Sequence, residues 1–183
     1  MLDVTDEEQV RLFFQSRGAF DHLVFTAGEQ LLLGELETAS LEQAKQFFTT
    51  RLWGAWTAAK YGSGNILPGG SIVLSSGIAG ARPQKGWTVA AALCGAVEAL
   101  THALAVELAP IRVNAVSAGV VRTELWQGMA EADRSAFYQT AGQALPTGRV
   151  GEAADIAKAH LYLMTEAFST ATVLTVDGGA SVV

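Results

Sequence analysis

The sequence predicts an α/β fold in which a doubly wound parallel sheet is covered by helices on both faces. Three observations lead to this prediction. Short, almost wholly apolar runs recur along the chain, as expected of strands buried on both faces. Longer helical segments separate them, which predicts β-α-β units with right-handed crossovers and three layers. The 183 residues, half of them hydrophobic and 16% charged, suit a single domain spanning 1–183.

Four runs are predicted to be strands, and they lie at residues 22–26, 71–75, 111–116 and 172–176. Four helices are predicted, at residues 5–15, 40–61, 88–108 and 152–164. Thr5 with Glu8, and Ser40 with Gln43, have the spacing of a capping box. Pro110 ends the third helix, because proline cannot continue it.

The segment 125–150 breaks the alternation of strands and helices. It contains three glycines and one proline without an apolar period. Segments of this kind often cover a binding site, so we expect a mobile lid here.

Composition narrows the class of function. A net charge of −6 argues against a nucleic-acid partner, which would require a basic face. No apolar run approaches the roughly 20 residues of a membrane span. Residues 1–8 are acidic and lack the pattern of a signal peptide. The single cysteine, Cys94, excludes an internal disulfide framework and suits a reducing compartment. We therefore expect a cytoplasmic protein without a nucleic-acid, membrane or metal partner.

Six motifs in order resemble the short-chain dehydrogenase/reductase (SDR) superfamily, and together they cover essentially the whole chain. The matching segments are 2–6, 26–28, 70–77, 95–108, 111–123 and 148–179. The resemblance implies a Rossmann-like sheet, a nicotinamide cofactor, and reduction of a carbonyl or oxidation of an alcohol.

The resemblance also implies a set of cofactor-binding residues. Asp3 and Val4 correspond to the family's adenine-side strand end, and the segment 26–28 to its Asn-Ala-Gly motif, with threonine in place of asparagine. The segment 117–123 resembles the part that cradles the nicotinamide. The implied set is Asp3, Val4, Thr26, Ala27, Gly28, Ser117, Gly119, Val121 and Thr123.

The family's catalytic residues are largely replaced. Its serine corresponds to Ser76, but its tyrosine corresponds to Ala90 and its lysine to Cys94. Alanine has no proton to transfer, so the usual acid–base route cannot use this position. The possible substitutes are Cys94, with a pKa lowered by a nearby cation, Arg51 at the family's asparagine position, and Tyr138 in the predicted lid.

The family's N-terminal glycine-rich β-α-β unit has no counterpart in this sequence. We therefore expect an N-terminally truncated fold, in which residues 2–4 have no strand to pair with and the strand at 22–26 lies at an open edge. The strand that would distinguish NADP from NAD is also lacking, so either cofactor is expected, with NADP slightly favoured.

Two functions remain open from the sequence. The first is an SDR-type oxidoreductase acting on a small carbonyl or alcohol. The alternative is a non-catalytic SDR-like protein that binds the cofactor or serves in oligomerisation. In either case the resemblance implies a homodimer or homotetramer through the helices at 40–61 and 88–108.

Overall fold

The computed structural model describes residues 2–183. Its strands are Phe20–Phe25 (β1), Ile66–Gly77 (β2), Arg112–Ala118 (β3), Val121–Arg122 (β4), Gly151–Glu152 (β5) and Val173–Val176 (β6). Its α-helices are Glu7–Ser16 (α1), Leu41–Phe47 (α2), Ala55–Gly62 (α3), Thr88–Glu107 (α4), Glu131–Ala144 (α5) and Ala153–Thr165 (α6).

The main sheet confirms the predicted fold class. Its four strands are all parallel, in the order β1-β2-β3-β6. Each predicted strand is present with shifted ends, and β1 lies at one edge of the sheet, as expected. The two-residue strands β4 and β5 form a separate small sheet that the sequence did not predict.

Alternating side chains on β2 create the layers on the two faces of the sheet. Ile72 and Leu74 are buried in the large core that also contains Leu93 of α4. Val73 points into a second, smaller cluster with Leu163 of α6. Helices α1, α3 and α4 thus cover one face and α6 covers the other, which gives the predicted three layers.

Helix α4 corrects one sequence expectation. It has 20 residues, and a window of 18 of them has a mean hydropathy of 1.7, so by length and composition it could cross a membrane. Its fully buried residues Leu93 and Val97 pack in the large core with β2 and β3. The apolar composition is therefore that of a helix packed against a sheet.

Helix α1 begins one residue later than the predicted capping box implies. Asp6, not Thr5, is the N-cap, because its carboxylate accepts hydrogen bonds from the backbone N–H groups of Glu8 and Gln9 at 3.0 and 3.1 Å. The Thr5 hydroxyl instead donates to Asp3 at 2.7 Å. A carboxylate in the first turn also interacts favourably with the helix dipole, which favours Asp6 as the cap.

The predicted helix at 40–61 is interrupted in its middle. Ser40 caps α2 as expected, but a π-helix over Thr49–Gly54 separates α2 from α3. In this segment the Trp53 N–H donates to the Phe48 carbonyl at 3.1 Å, a spacing of five residues. Such insertions are frequently found at functional sites, and this one carries Arg51.

Residues 2–4 form no strand. Val4 instead packs against Gly54, where an added Cβ would lie 3.1 Å from the Val4 side chain. The segment 125–150 is also more ordered than expected of a loop, since it contains α5 and a buried cluster of Trp126, Tyr138 and Val150. Its role as a mobile lid stays a prediction.

Candidate functional site

A cleft of about 580 Å³ opens at the carboxyl ends of the parallel strands. Helix α6 forms one wall, and Leu125 and Trp126 form part of the opposite rim. Strands β2 and β3 both end there, at Gly77 and Ala118. Ligands of doubly wound sheets bind at this edge, and the volume lies in the range of small-molecule sites.

Six of the sequence-predicted site residues line this cleft. They are Thr26, Arg51, Ser76, Gly119, Val121 and Thr123. They come from four separate parts of the chain, and the ends of β1, β2 and β3 bring them together. The cleft therefore assembles much of the set that the resemblance implies.

The remaining cofactor candidates lie outside this lining. Asp3 is exposed and accepts hydrogen bonds from Thr5, and Val4 packs against the π-helix. Ala27 packs against the large core, and Ser117 is buried within β3. These four residues and Gly28, the fifth remaining candidate, are not among the residues that line the cleft.

Gly28 and Gly119 are explained by neighbours within the chain. A Cβ at residue 28 would lie 3.0 Å from Nη2 of Arg51. A Cβ at residue 119 would lie 2.7 Å from the Asp177 Cα, a backbone atom that cannot move aside easily. Both glycines thus permit close contacts in the protein itself, in addition to any approach of a ligand.

Ser76 lies at the cleft, but its hydroxyl is already engaged. It is 3.0 Å from Oε1 of Glu98 and 3.3 Å from the carbonyl oxygen of Cys94, both of which are acceptors. A hydroxyl has a single hydrogen to donate. To polarise a substrate oxygen, Ser76 would have to give up the hydrogen bond to Glu98.

The pKa of the Cys94 thiol is shifted in the direction opposite to the one expected from the sequence. Its thiol is buried in α4, 3% exposed, beside an adjoining apolar cavity of about 90 Å³ that Ala90 and Arg51 also line. Burial raises the pKa of the Cys94 thiol, and the opposing effects of the Arg51 charge and the Ser76 hydrogen bond are smaller. The thiol therefore stays protonated and is a poor nucleophile at neutral pH.

Arg51 is held by an ion pair that sequence analysis missed. Its Nη2 lies 3.0 Å from Oε1 of Glu29, and the two side chains are 18% and 11% exposed. The pair is close, but the carboxylate makes no well-aligned hydrogen bond. Burial raises the pKa of Glu29 more than the Arg51 charge lowers it.

Tyr138 does not line the cleft. Its ring is buried against Phe137 at a centroid distance of 5.8 Å, and the Arg122 guanidinium lies 4.5 Å from its centroid on the other side. In this position its phenol is part of the packing of α5.

A hydroxyl–imidazole pair in the cleft wall also escaped the sequence analysis. Nε2 of His160 lies 3.1 Å from Oγ of Ser75, and its Nδ1 lies 3.0 Å from the Ile156 carbonyl, to which it must donate. Oγ of Ser75 is also 3.0 Å from the Phe25 carbonyl. The Ser75 hydroxyl has a single hydrogen, so it can donate to only one of its two neighbours, the Phe25 carbonyl or the His160 ring. The spacing of Ile156 and His160 on one helical face was the available sequence signal.

With this geometry in place, comparison with known proteins decides the family. The family model described as Enoyl-(Acyl carrier protein) reductase matches residues 1–181. Short-chain dehydrogenase/reductase ATR9 of Stachybotrys chlorohalonatus is 39% identical over 166 residues, or 89% of this chain. The chain belongs to the short-chain dehydrogenase/reductase superfamily.

Solved structures of SDR proteins agree with this assignment. A small-chain dehydrogenase crystallised in complex with NADPH is 46% identical, with a TM-score of 0.97 over 100% of this chain and 83% of that one. The ligand-free aldohexose dehydrogenase of Thermoplasma acidophilum is 27% identical, with a TM-score of 0.90 over 99% of this chain and 77% of that one. This SDR chain spans 64% of the length of ATR9.

Proposed function

We propose that this SDR chain is a nicotinamide-dependent oxidoreductase that reduces a small carbonyl compound or oxidises the corresponding alcohol. The observation that carries the proposal is the cleft at the strand ends, lined by Thr26, Gly119, Val121 and Thr123. The similar dehydrogenase solved in complex with NADPH supports the choice of cofactor. Whether NADP or NAD is preferred is left to the binding experiment.

The cleft residues fit the nicotinamide end of such a cofactor. Thr26 and Thr123 supply hydroxyls, and Gly119 and Val121 supply a backbone edge beside an apolar wall. When bound, the nicotinamide would supply or accept the hydride. The chain's own residues would orient the two reactants and exclude water from them.

Ser76 and Arg51 are the groups we propose to act on the substrate oxygen. Ser76 would donate its hydroxyl hydrogen after leaving Glu98, and Arg51 would supply the positive charge that the family's lysine normally provides. Cys94 is the weaker candidate because its thiol stays protonated. Tyr138 could reach the reactants only if α5 moved, since its ring is buried in the cluster with Trp126.

One observation favours the alternative, a non-catalytic cofactor-binding or oligomerising protein. Ala90 replaces the usual proton donor, and Ser76 is hydrogen-bonded to Glu98 instead of facing the cleft as a free donor. An SDR chain with this site could retain binding and lose turnover.

We also propose a homodimer or homotetramer in the cytoplasm. Large apolar side chains are exposed on α2, the π-helix, α3 and α4. Phe47, which lies in the same region of the sequence, is instead buried in the core. The exposed residues are Leu41, Trp53, Trp56 and Val106. Burial of such a patch against a second copy would be favourable.

Turnover distinguishes the two functions. The purified chain is mixed with NADPH or NADH and a panel of aldoses and apolar ketones, and oxidation of the reduced nicotinamide is followed by absorbance. The proposal predicts turnover that falls at least tenfold in Ser76→Ala and is unchanged in Ser16→Ala, which removes an exposed hydroxyl on α1. Binding without turnover of any substrate would favour the alternative.

A further inference from the structure

The buried carboxylate of Glu29 requires an explanation beyond folding. Glu29 directly follows the 26–28 motif, and both of its side-chain oxygens are shielded from solvent. Carboxylates are rarely buried unless a partner compensates the loss of hydration. Within residues 2–183, the positive charge paired with it is Arg51 at 3.0 Å.

Arg51 lines a small cavity together with two small residues of α4, Ala90 and Cys94. Its guanidinium lies next to Gly28, and it lines both the main cleft and the small cavity that contains Ala90 and Cys94. The positive charge thus comes from the π-helix instead of from α4. Longer side chains at Ala90 and Cys94 would compete with the guanidinium for this space.

The pair leaves donors for a ligand. A guanidinium carries five N–H groups in a rigid plane, and one carboxylate can engage only part of them. Loss of either partner would leave an uncompensated charge in a largely buried place. Glu29 therefore restricts where the Arg51 guanidinium can lie, and Arg51 is itself one of the residues that line the cleft.

We propose that Glu29 is a positioning residue that fixes the Arg51 guanidinium at the cleft, so that its remaining N–H groups bind oxygen atoms of the ligand. The ligand chemistry is a hydroxyl oxygen, as found on the ribose of the cofactor, so dinucleotide binding reports on this contact. The part of this inference that concerns the ligand rests on the proposed function.

The electrostatics of the pair agree with this role. Burial raises the pKa of Glu29, and the Arg51 charge opposes the effect. On the α4 side, Cys94 is the titratable group that the Arg51 charge influences, and Glu98 acts on Cys94 in the opposite direction. Acidification protonates Glu29 at a higher pH than an ordinary glutamate and so releases Arg51.

The first test uses the free protein. The Nε–Hε NMR signal of Arg51 is assigned by its loss in Arg51→Lys and followed from neutral to acidic pH. In the wild type we expect a resolved Arg51 signal whose chemical shift changes as Glu29 is protonated. In Glu29→Gln we expect the Arg51 signal to be averaged with those of the exposed arginines and to show no such change with pH. An identical signal and titration in wild type and Glu29→Gln would overturn the positioning role.

The second test measures the dissociation constants of NADPH and NADH. Glu29→Gln and Arg51→Lys should each raise the dissociation constant at least tenfold. The matched control, Glu35→Gln, removes an exposed ion pair with Lys85 and should change it less than twofold. Unchanged binding in Glu29→Gln would contradict the inference. If neither dinucleotide binds the wild type, the proposed function and the ligand part of the inference both fail, and the NMR titration still decides the positioning role.

Discussion

At the scale of single residues, the site is determined by which side chains are buried next to each other. Cys94 shows this most directly, because burial and the Arg51 charge act on its thiol in opposite directions and burial dominates. The cation near the thiol could be anticipated from the family resemblance, which places Arg51 at the family's asparagine position. The degree of burial could not, since it depends on how α4 packs against β2.

The raised pKa of Cys94 predicts slow alkylation. The rate with iodoacetamide at neutral pH should be at least tenfold below that of the unfolded chain, and it should rise only at a pH above the ordinary cysteine range. Arg51→Met should slow the reaction further, because it removes the charge that favours the thiolate. Rapid alkylation of the folded chain at neutral pH would contradict the raised pKa of the Cys94 thiol.

Sequence reasoning placed Ser76, Arg51 and Thr123 at the site, because each follows a strand or lies at a position matched by the family. It missed Glu29 and His160. A charged residue that follows a glycine, such as Glu29, is usually solvated, and so is a histidine on an amphipathic helix, such as His160. Their burial here follows from contacts between distant segments of the chain. It also assigned Asp3 and Val4 to the cofactor site; neither lines the cleft, and their role in cofactor binding stays a prediction.

At the scale of the elements, α4 is the helix on which the large core depends. Leu93 is fully buried in that core, so Leu93→Ala should lower the free energy of unfolding by about 2–5 kcal/mol through lost burial and a residual cavity. Urea denaturation measures the change. The matched control is Leu36→Ala, outside α4, where the side chain is 73% exposed and the effect should be near zero. Equal effects of the two substitutions would show that α4 is not packed as described.

The start of α6 predicts a pH-dependent contribution to stability. Asp155 accepts hydrogen bonds from Arg149 at 2.7 Å and from the Glu152 N–H at 3.0 Å, and these contacts lower its pKa to about 2. The pKa of Asp155 is therefore lower in the folded chain than the value of 3.8 in the unfolded chain. The stabilisation by ionised Asp155 is fully present at a pH above 3.8 and is lost as the pH falls through the pKa of the folded chain.

Asp155→Asn therefore destabilises the folded chain near neutral pH and much less at about pH 2. Urea denaturation at both pH values measures the difference, with Glu35→Gln as the control for an exposed acidic residue. A loss of stability that is the same at both pH values would show that the ionised carboxylate of Asp155 does not stabilise the folded chain in the way described.

The elements also show what periodicity can and cannot predict. The helix at 88–108 was predicted almost to the residue, because a long alanine-rich run ends before a proline. The helix at 40–61 was predicted without its π-helix, whose last residue, Gly54, packs closely against Val4 and Phe25. Such fitting between distant parts of the chain leaves no periodic signal.

At the scale of the whole molecule, the alternation of apolar strands and helices was sufficient to predict the parallel sheet and its three layers. The four strands of this sheet lie in the order β1-β2-β3-β6. The two-strand sheet of β4 and β5 was missed, because each strand has only two residues and no detectable alternation.

The exposed tryptophans predict self-association. Trp53 and Trp56 are 56% and 40% exposed on the proposed oligomer surface. The double substitution Trp53→Ala and Trp56→Ala should weaken the dimer at least tenfold in analytical ultracentrifugation, because it removes much of the apolar area to be buried. Phe168→Ala, which alters a 97% exposed side chain elsewhere, is the control and should leave association unchanged. A wild-type chain that stays monomeric at high concentration would contradict the proposed interface.

The central claim is that the cleft at the strand ends binds a nicotinamide dinucleotide, and calorimetric titration of the purified chain with NADPH and then NADH tests it most directly. We expect micromolar binding of at least one of them, weakened at least tenfold by Arg51→Met and little changed by Glu35→Gln. Absence of binding by both dinucleotides to a folded wild-type chain would contradict the claim.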